Sequence, residues 1–137
     1  MRGALHIAFI LERWDIRLII PLTDQYEYYH GGKLSFLRFR NLSTSDESAF
    51  YSNTDVIGDF KTYIGTLLNR TNTYTGVAYS QDPTIMAWET GNELKNAPSQ
   101  WTGEITSYIK ALAPLQLTMD GSYGVQKDAL DLPTVDI

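Results

Sequence analysis

The sequence predicts an α/β protein with a parallel sheet, and three observations carry that expectation. Residues 16–22 are a continuous branched-apolar run, as a strand buried on both faces of a parallel sheet would be, and residues 84–88 and 115–119 read as two further strands. Two stretches with apolar residues at helical spacing separate them. Strands that alternate with helices pair in parallel through right-handed crossovers.

The elements follow in order. Residues 5–14 read as a helix, apolar on nearly every side. The same start, one basic residue and a short apolar run, also fits a signal peptide, but Glu12, Arg13 and Trp14 stand where a small-residue cleavage site belongs. Residues 16–22 form the first strand, with Pro21 near its end, where a missing donor is tolerated. Residues 23–52 are a long polar and aromatic stretch holding Tyr26, Tyr28, Tyr29, His30, Gly31 and Gly32. A loop of that length is functional or carries small elements of its own. Asn53 or Thr54 caps a helix, Asp55 favours its first turn, and Val56, Ile57, Phe60, Ile64, Leu67 and Leu68 share one face. Residues 84–88 are the second strand. Pro98 suits the first turn of another helix, buried along Trp101, Ile105, Tyr108, Ile109 and Leu112. Residues 115–119 are the third strand, followed by Asp120 and Gly121, and residues 134–137 open a fourth. Repeats and linkers are absent, so residues 1–137 read as one unit.

Composition narrows the function. The 137 residues are 43% apolar and 12% aromatic, with a formal net charge of −5, as a single globular unit would be. An acidic balance without a basic cluster argues against nucleic acid and anionic membrane surfaces. No apolar run is long enough to span a bilayer. Zero cysteines exclude disulfides, zinc-thiolate sites and a cysteine nucleophile, and His6 and His30 give no metal-site spacing. Two sequons, at Asn41 and Asn69, are compatible with secretion.

Ligand sites in parallel α/β folds lie beyond the C-terminal ends of the strands. Three loops here hold that place, beginning at Thr23, Asn92 and Asp120. The strand at 84–88 delivers Asn92 and Glu93 to such an end. A carboxyl group there, among apolar and aromatic neighbours, is suited to general acid catalysis. The other reading of Glu93 is a helix-start carboxylate or a surface ion pair. Glu89, four residues earlier, points inward and needs a partner if buried.

The runs Ile16-Arg17-Leu18-Ile19-Ile20-Pro21-Leu22, Tyr29-His30-Gly31-Gly32, Phe50-Tyr51, Ala87-Trp88-Glu89-Thr90-Gly91-Asn92-Glu93 and Tyr108-Ile109-Lys110-Ala111-Leu112 resemble glycoside hydrolase family 5, in particular its fungal endo-β-1,4-mannanases. The likeness runs from about Leu5 to Ile137. It implies a partial (β/α)8 barrel, with 16–22 as the third strand, 84–88 as the fourth, 115–119 as the fifth and 134 onward as the start of the sixth. A whole barrel takes about 250 residues.

The resemblance further implies that Glu93 is the acid/base of a retaining hydrolase and that Asn92 binds the sugar 2-hydroxyl. The partner nucleophile would be a Glu ending the seventh strand, which these residues do not include, so the chain alone is expected to be inactive. Tyr26 falls at a sugar-binding aromatic position, Lys95 at a substrate-contacting base, and His30 is a candidate subsite contact. Leu94 replaces the proline that commonly follows the family's Asn-Glu, and Tyr123 stands where many mannanases carry an acid. No cofactor or metal is implied. The expected partner is an extracellular polysaccharide, a β-mannan or related β-glycan, with self-association through open sheet edges. Two alternatives stand beside this: a β-glucan substrate, and a non-catalytic carbohydrate-binding protein that uses the aromatic loop.

Overall fold

The computed structural model describes residues 14–28 and 31–137. The expected helix at 5–14 lies outside them except for Trp14, which is an exposed turn residue rather than helix. Asp15 after it takes a left-handed backbone (φ 55°).

Three strands, β1 (Leu18–Pro21), β2 (Ile85–Glu89) and β3 (Leu117–Met119), form one parallel sheet in chain order. Among the described residues, four α-helices accompany them: α1 (Leu34–Phe39), α2 (Ala49–Ser52), α3 (Thr54–Leu68) and α4 (Ser99–Leu112). The long loop thus carries α1 and α2. Asn53 caps α3 as expected: its side chain accepts from the amides of Asp55 (3.0 Å) and Val56 (3.2 Å), satisfying two donors that the first helical turn leaves free. Pro98 is the residue before α4, extended at ψ 141°, rather than its first helical residue.

The two long helices bury the predicted stripes. Val56, Phe60, Ile64 and Leu68 of α3 and Trp101, Ile105 and Ile109 of α4 are buried. Phe60 organises this layer: its ring meets Phe36 edge-on at 5.2 Å, Phe50 at 5.3 Å, and stacks on Trp101 at 6.0 Å. Aromatic pairs in these geometries add about 1 kcal/mol each beyond their buried area.

Ile85 and Trp88 both join this core, although residues three apart on a regular strand face opposite ways. The register explains it. Leu18 pairs with Ile85 but Ile19 with Ala87, so Met86 is an extra residue in β2. A bulge of this kind flips the phase of the strand, turning Ile85 toward the helices with Trp88. The opposite face of the sheet stays open: Ile19, Met86 and Leu117 are 42%, 37% and 38% exposed.

β3 begins two residues later than expected. Leu115 is exposed, and Gln116 is drawn into the interior instead. Its amide donates to the carbonyls of Tyr79 and Asp82 and accepts from the Trp88 indole at 2.6 Å. A buried amide that satisfies three partners outweighs the strand propensity of its neighbour.

Residues 134–137 lie along the free edge of β3. The amides of Asp136 and Ile137 donate to the Thr118 carbonyl, and the Asp120 amide donates to Ile137. The Asp136 carboxylate clips this segment down. It accepts from the Thr118 amide (2.7 Å) and pairs with Lys110 of α4 (2.6 Å).

Candidate active site

Beyond their last paired residues the strands keep touching. Asp24 and Asn92 form one isolated parallel bridge, and Leu94 and Ser122 form another. Asn92 therefore faces the β1 side and Leu94 the β3 side. Glu93 lies between them, at the C-terminal rim of the central strand. The contact is tight enough that Gly121 must be glycine: a Cβ there would lie 1.7 Å from the Gly91 carbonyl oxygen.

Glu93 is exposed and has a left-handed backbone (φ 53°), as does Asn96 (φ 56°). For residues with a Cβ this conformation costs on the order of 1 kcal/mol and persists only where neighbours enforce it. The neighbours here are specific. The Leu94 amide donates to the Gly121 carbonyl (2.8 Å), and the Tyr123 amide donates to the Leu94 carbonyl (2.9 Å). The Lys95 amide donates to the Gln25 side chain (2.9 Å), and the Tyr51 hydroxyl donates to the Lys95 carbonyl (3.0 Å). The chain is fastened on both sides of Glu93.

Around the carboxylate, the structure gathers three of the residues singled out from sequence. Glu93 is the main cause that holds the Tyr26 phenol above its ordinary pKa, with Lys95 opposing it. Lys95 places its ammonium 5.3 Å from the Tyr26 ring and 5.6 Å from the Tyr123 ring, both within cation–π range. Tyr28 extends the aromatic surface, 5.8 Å from Tyr26. Asn92 directs its side-chain amide at Asp24, at 3.3 Å. His30 lies outside the described residues.

Inside the rim, Glu89, Asn92, Glu93 and Asp120 line a shared concavity of roughly 320 Å³. Glu89 is half-buried, and no Lys or Arg pairs with it among the described residues. Burial raises its pKa, and the negative charges of Asp120 and Asp24 add to this. Asp120 accepts from the amide and hydroxyl of Ser122. Among the described residues no cluster of His, Cys, Asp or Glu is suited to a metal.

Sequence reasoning missed Asp24, Gln25 and the contact role of Tyr123. Position was the usable signal for the first two, since both follow directly on the end of β1.

An aromatic and acidic rim at the C-terminal end of a parallel sheet invites comparison with known proteins. The family described as "GH family 5 beta-mannosidase-like" matches residues 10–134. Mannan endo-1,4-beta-mannosidase 1 of Arabidopsis thaliana is 34% identical over 90% of this chain and 32% of its own length. Mannan endo-1,4-beta-mannosidase 8 of Oryza sativa is 32% identical over 87% of this chain and 35% of its own. Among solved structures, the endo-beta-1,4-mannanase from Thermotoga petrophila superposes with a TM-score of 0.89 at 28% identity, over 98% of this chain and 35% of that one. The endo-1,4-beta-mannanase from Rhizomucor miehei does so with a TM-score of 0.86 at 30% identity, over 97% and 46%. The chain thus spans about a third of the length of these curated relatives. Its fold is a segment of their (β/α)8 barrel, and the open face of the sheet is the inner wall of that barrel. A match that runs through both long helices, all three strands and the Asn92–Glu93 rim makes this chain a member of glycoside hydrolase family 5.

Proposed function

We propose that this chain carries the acid/base half of the active site of a retaining endo-β-1,4-mannanase. The observation that carries the reading is Glu93 at the rim of the central strand, beside Asn92 and with Tyr26 and Lys95 gathered around it. In this role Glu93 protonates the leaving glycosidic oxygen and then deprotonates the water that releases the second product. Asn92, oriented by Asp24, donates to the sugar 2-hydroxyl, a contact that strengthens toward the transition state. Tyr26 and Tyr28 offer faces to sugar rings. Lys95 is parked between two phenol rings, where a hydroxyl-rich ligand can take it up. His30 stays a candidate subsite contact.

A retaining reaction needs a nucleophilic carboxylate about 5 Å from the acid. By family likeness that group ends the seventh strand, outside these 137 residues. Glu89 and Asp120 do not take its place in this reading: Glu89 is held toward its neutral form, and Asp120 is engaged by Ser122. The 137 residues alone are therefore expected to release no reducing ends from mannan. Hydrolysis by the isolated chain that Glu93→Gln abolishes would overturn this assignment of the nucleophile. Titration of the labelled chain with mannotetraose tests the site itself. Amide shifts at Asn92, Glu93, Lys95 and Tyr123 support it; shifts confined to other surfaces, or none, count against it.

The natural setting of this chemistry is extracellular, with polysaccharide as partner. Taken alone, the exposed inner wall and the outer edge of β1, unpaired among the described residues, favour association. Light scattering at micromolar concentration should report oligomers, and a monomer peak would contradict this.

A further inference from the structure

Behind the rim lies a charged group that the proposed chemistry does not use. Lys33, at the start of α1, is completely buried. A buried ammonium is tolerated only when paired and hydrogen-bonded, and this one is: it meets the Glu47 carboxylate at 2.9 Å and donates to the Tyr51 hydroxyl at 3.1 Å. Neither contact ends there. The Tyr51 hydroxyl in turn donates a hydrogen bond to the Lys95 carbonyl at 3.0 Å. Glu47 accepts from the Gln25 amide at 2.8 Å, while the other end of the Gln25 side chain accepts from the Lys95 amide at 2.9 Å. Two hydrogen-bonded paths therefore run from one buried ammonium to the amide and the carbonyl of Lys95, two residues from Glu93.

The same segment also braces Tyr26. The Lys33 amide donates to the Asp24 carbonyl at 2.9 Å. Gly32 packs so closely on this backbone that a Cβ would lie 2.6 Å from the Tyr26 carbonyl oxygen and 2.7 Å from that of Asp24.

We propose that Lys33, Glu47, Gln25 and Tyr51 are positioning residues that hold the strained 93–96 backbone, and thereby aim Glu93 and Lys95 at the substrate. The functional half of this inference rests on the reading of Glu93 given above; the mechanical half does not. A buried ion pair whose only purpose was cohesion is often matched or bettered by apolar side chains of similar volume in place of both partners. The ion pair here supplies direction instead, since each member reaches one backbone group of Lys95 through a single side chain, Lys33 through Tyr51 and Glu47 through Gln25.

Amide hydrogen exchange on the 137-residue chain separates the two roles. Tyr51→Phe removes one hydroxyl and keeps the ring against Phe50 and Trp101. Gln25→Ala removes the second path. Each variant should accelerate exchange at Lys95 about tenfold, the equivalent of one hydrogen bond of support. The amides of Phe60 and Ile109 in the core should stay unchanged. Lys33→Met should release both paths together; if it fails to fold, the two milder variants still decide. Unchanged Lys95 exchange, or equal acceleration of rim and core, overturns the proposal. Exchange reads no sugar, so its outcome and that of the mannan experiments are independent.

Discussion

Gly121→Ala is predicted to be among the most damaging single substitutions in this chain, although it adds one methyl group. The added Cβ would lie 1.7 Å from the Gly91 carbonyl oxygen and 2.5 Å from the Gly91 nitrogen. A carbon and a carbonyl oxygen approach no closer than about 3.3 Å, so the two backbones must separate by roughly 1.5 Å. Neither partner is a flexible side-chain end that could swing aside. That separation breaks the bond from the Leu94 amide to the Gly121 carbonyl, now 2.8 Å, and the bond from the Gly121 amide to the buried Thr90 hydroxyl, now 2.9 Å. Two lost hydrogen bonds at about 1 kcal/mol each, with buried groups left unpaired, place the cost at roughly 3–5 kcal/mol. Gly58→Ala is the control. Gly58 lies inside α3 with nothing within 4 Å of its added Cβ, so the same chemical change should stabilise by up to about 1 kcal/mol through helix propensity. Urea unfolding followed by far-UV circular dichroism gives both values. A Gly121→Ala midpoint within error of the parent chain would refute the close approach at the rim.

Four further outcomes follow from the same structure. Asn53→Ala should cost about 1 kcal/mol in urea unfolding, since it leaves the Asp55 and Val56 amides uncapped. Phe60→Ala should cost about 3–5 kcal/mol, because its ring is fully buried among Phe36, Phe50 and Trp101. Burial pushes the Asp136 carboxyl up, but Lys110 and Thr118 outweigh it and hold the pKa below the usual value. The stability it lends is present above about pH 4, the unfolded value, and is lost as pH falls through the folded one. Amide protection at residues 136–137 should therefore drop in acid, and in Asp136→Asn it should be weak at every pH. Glu89 is the opposite case, with its folded pKa raised by burial, Asp120 and Asp24. Its ionisation opposes folding as pH rises past about 4.3, the unfolded value, so Glu89→Gln should raise the urea midpoint at pH 7 and leave it nearly unchanged at pH 4.

The sequence exposed what is periodic or local. The stripes of α3 and α4 follow from spacing, the Asn53 cap from one residue type at one place, and the rim position of Asn92 and Glu93 from a strand that ends there. The features that sequence could not supply depend on distant partners. Met86 is a bulge only because Leu18 and Ile19 choose partners two residues apart in β2. Leu115 leaves its strand because Gln116 finds Trp88, Tyr79 and Asp82. The burial of Lys33 has no local sign at all, since Glu47 and Tyr51 reach it from other elements. The left-handed backbone at Glu93 is likewise imposed by Gln25, Tyr51 and Gly121 from three directions. Tyr26 and Lys95 were named from family likeness, whereas the phenol pair that brackets the ammonium emerges only when the rim loops are brought together.

The central claim is that Glu93 is delivered to the rim as a working proton donor. Grafting residues 14–137 in place of the matching stretch of the Rhizomucor miehei endo-1,4-beta-mannanase supplies the remaining barrel, and release of reducing ends from mannan reads the result. Activity in the graft, lowered about 10²–10⁴-fold by Glu93→Gln, is the predicted outcome. A folded graft whose activity is indifferent to Glu93→Gln would contradict the account.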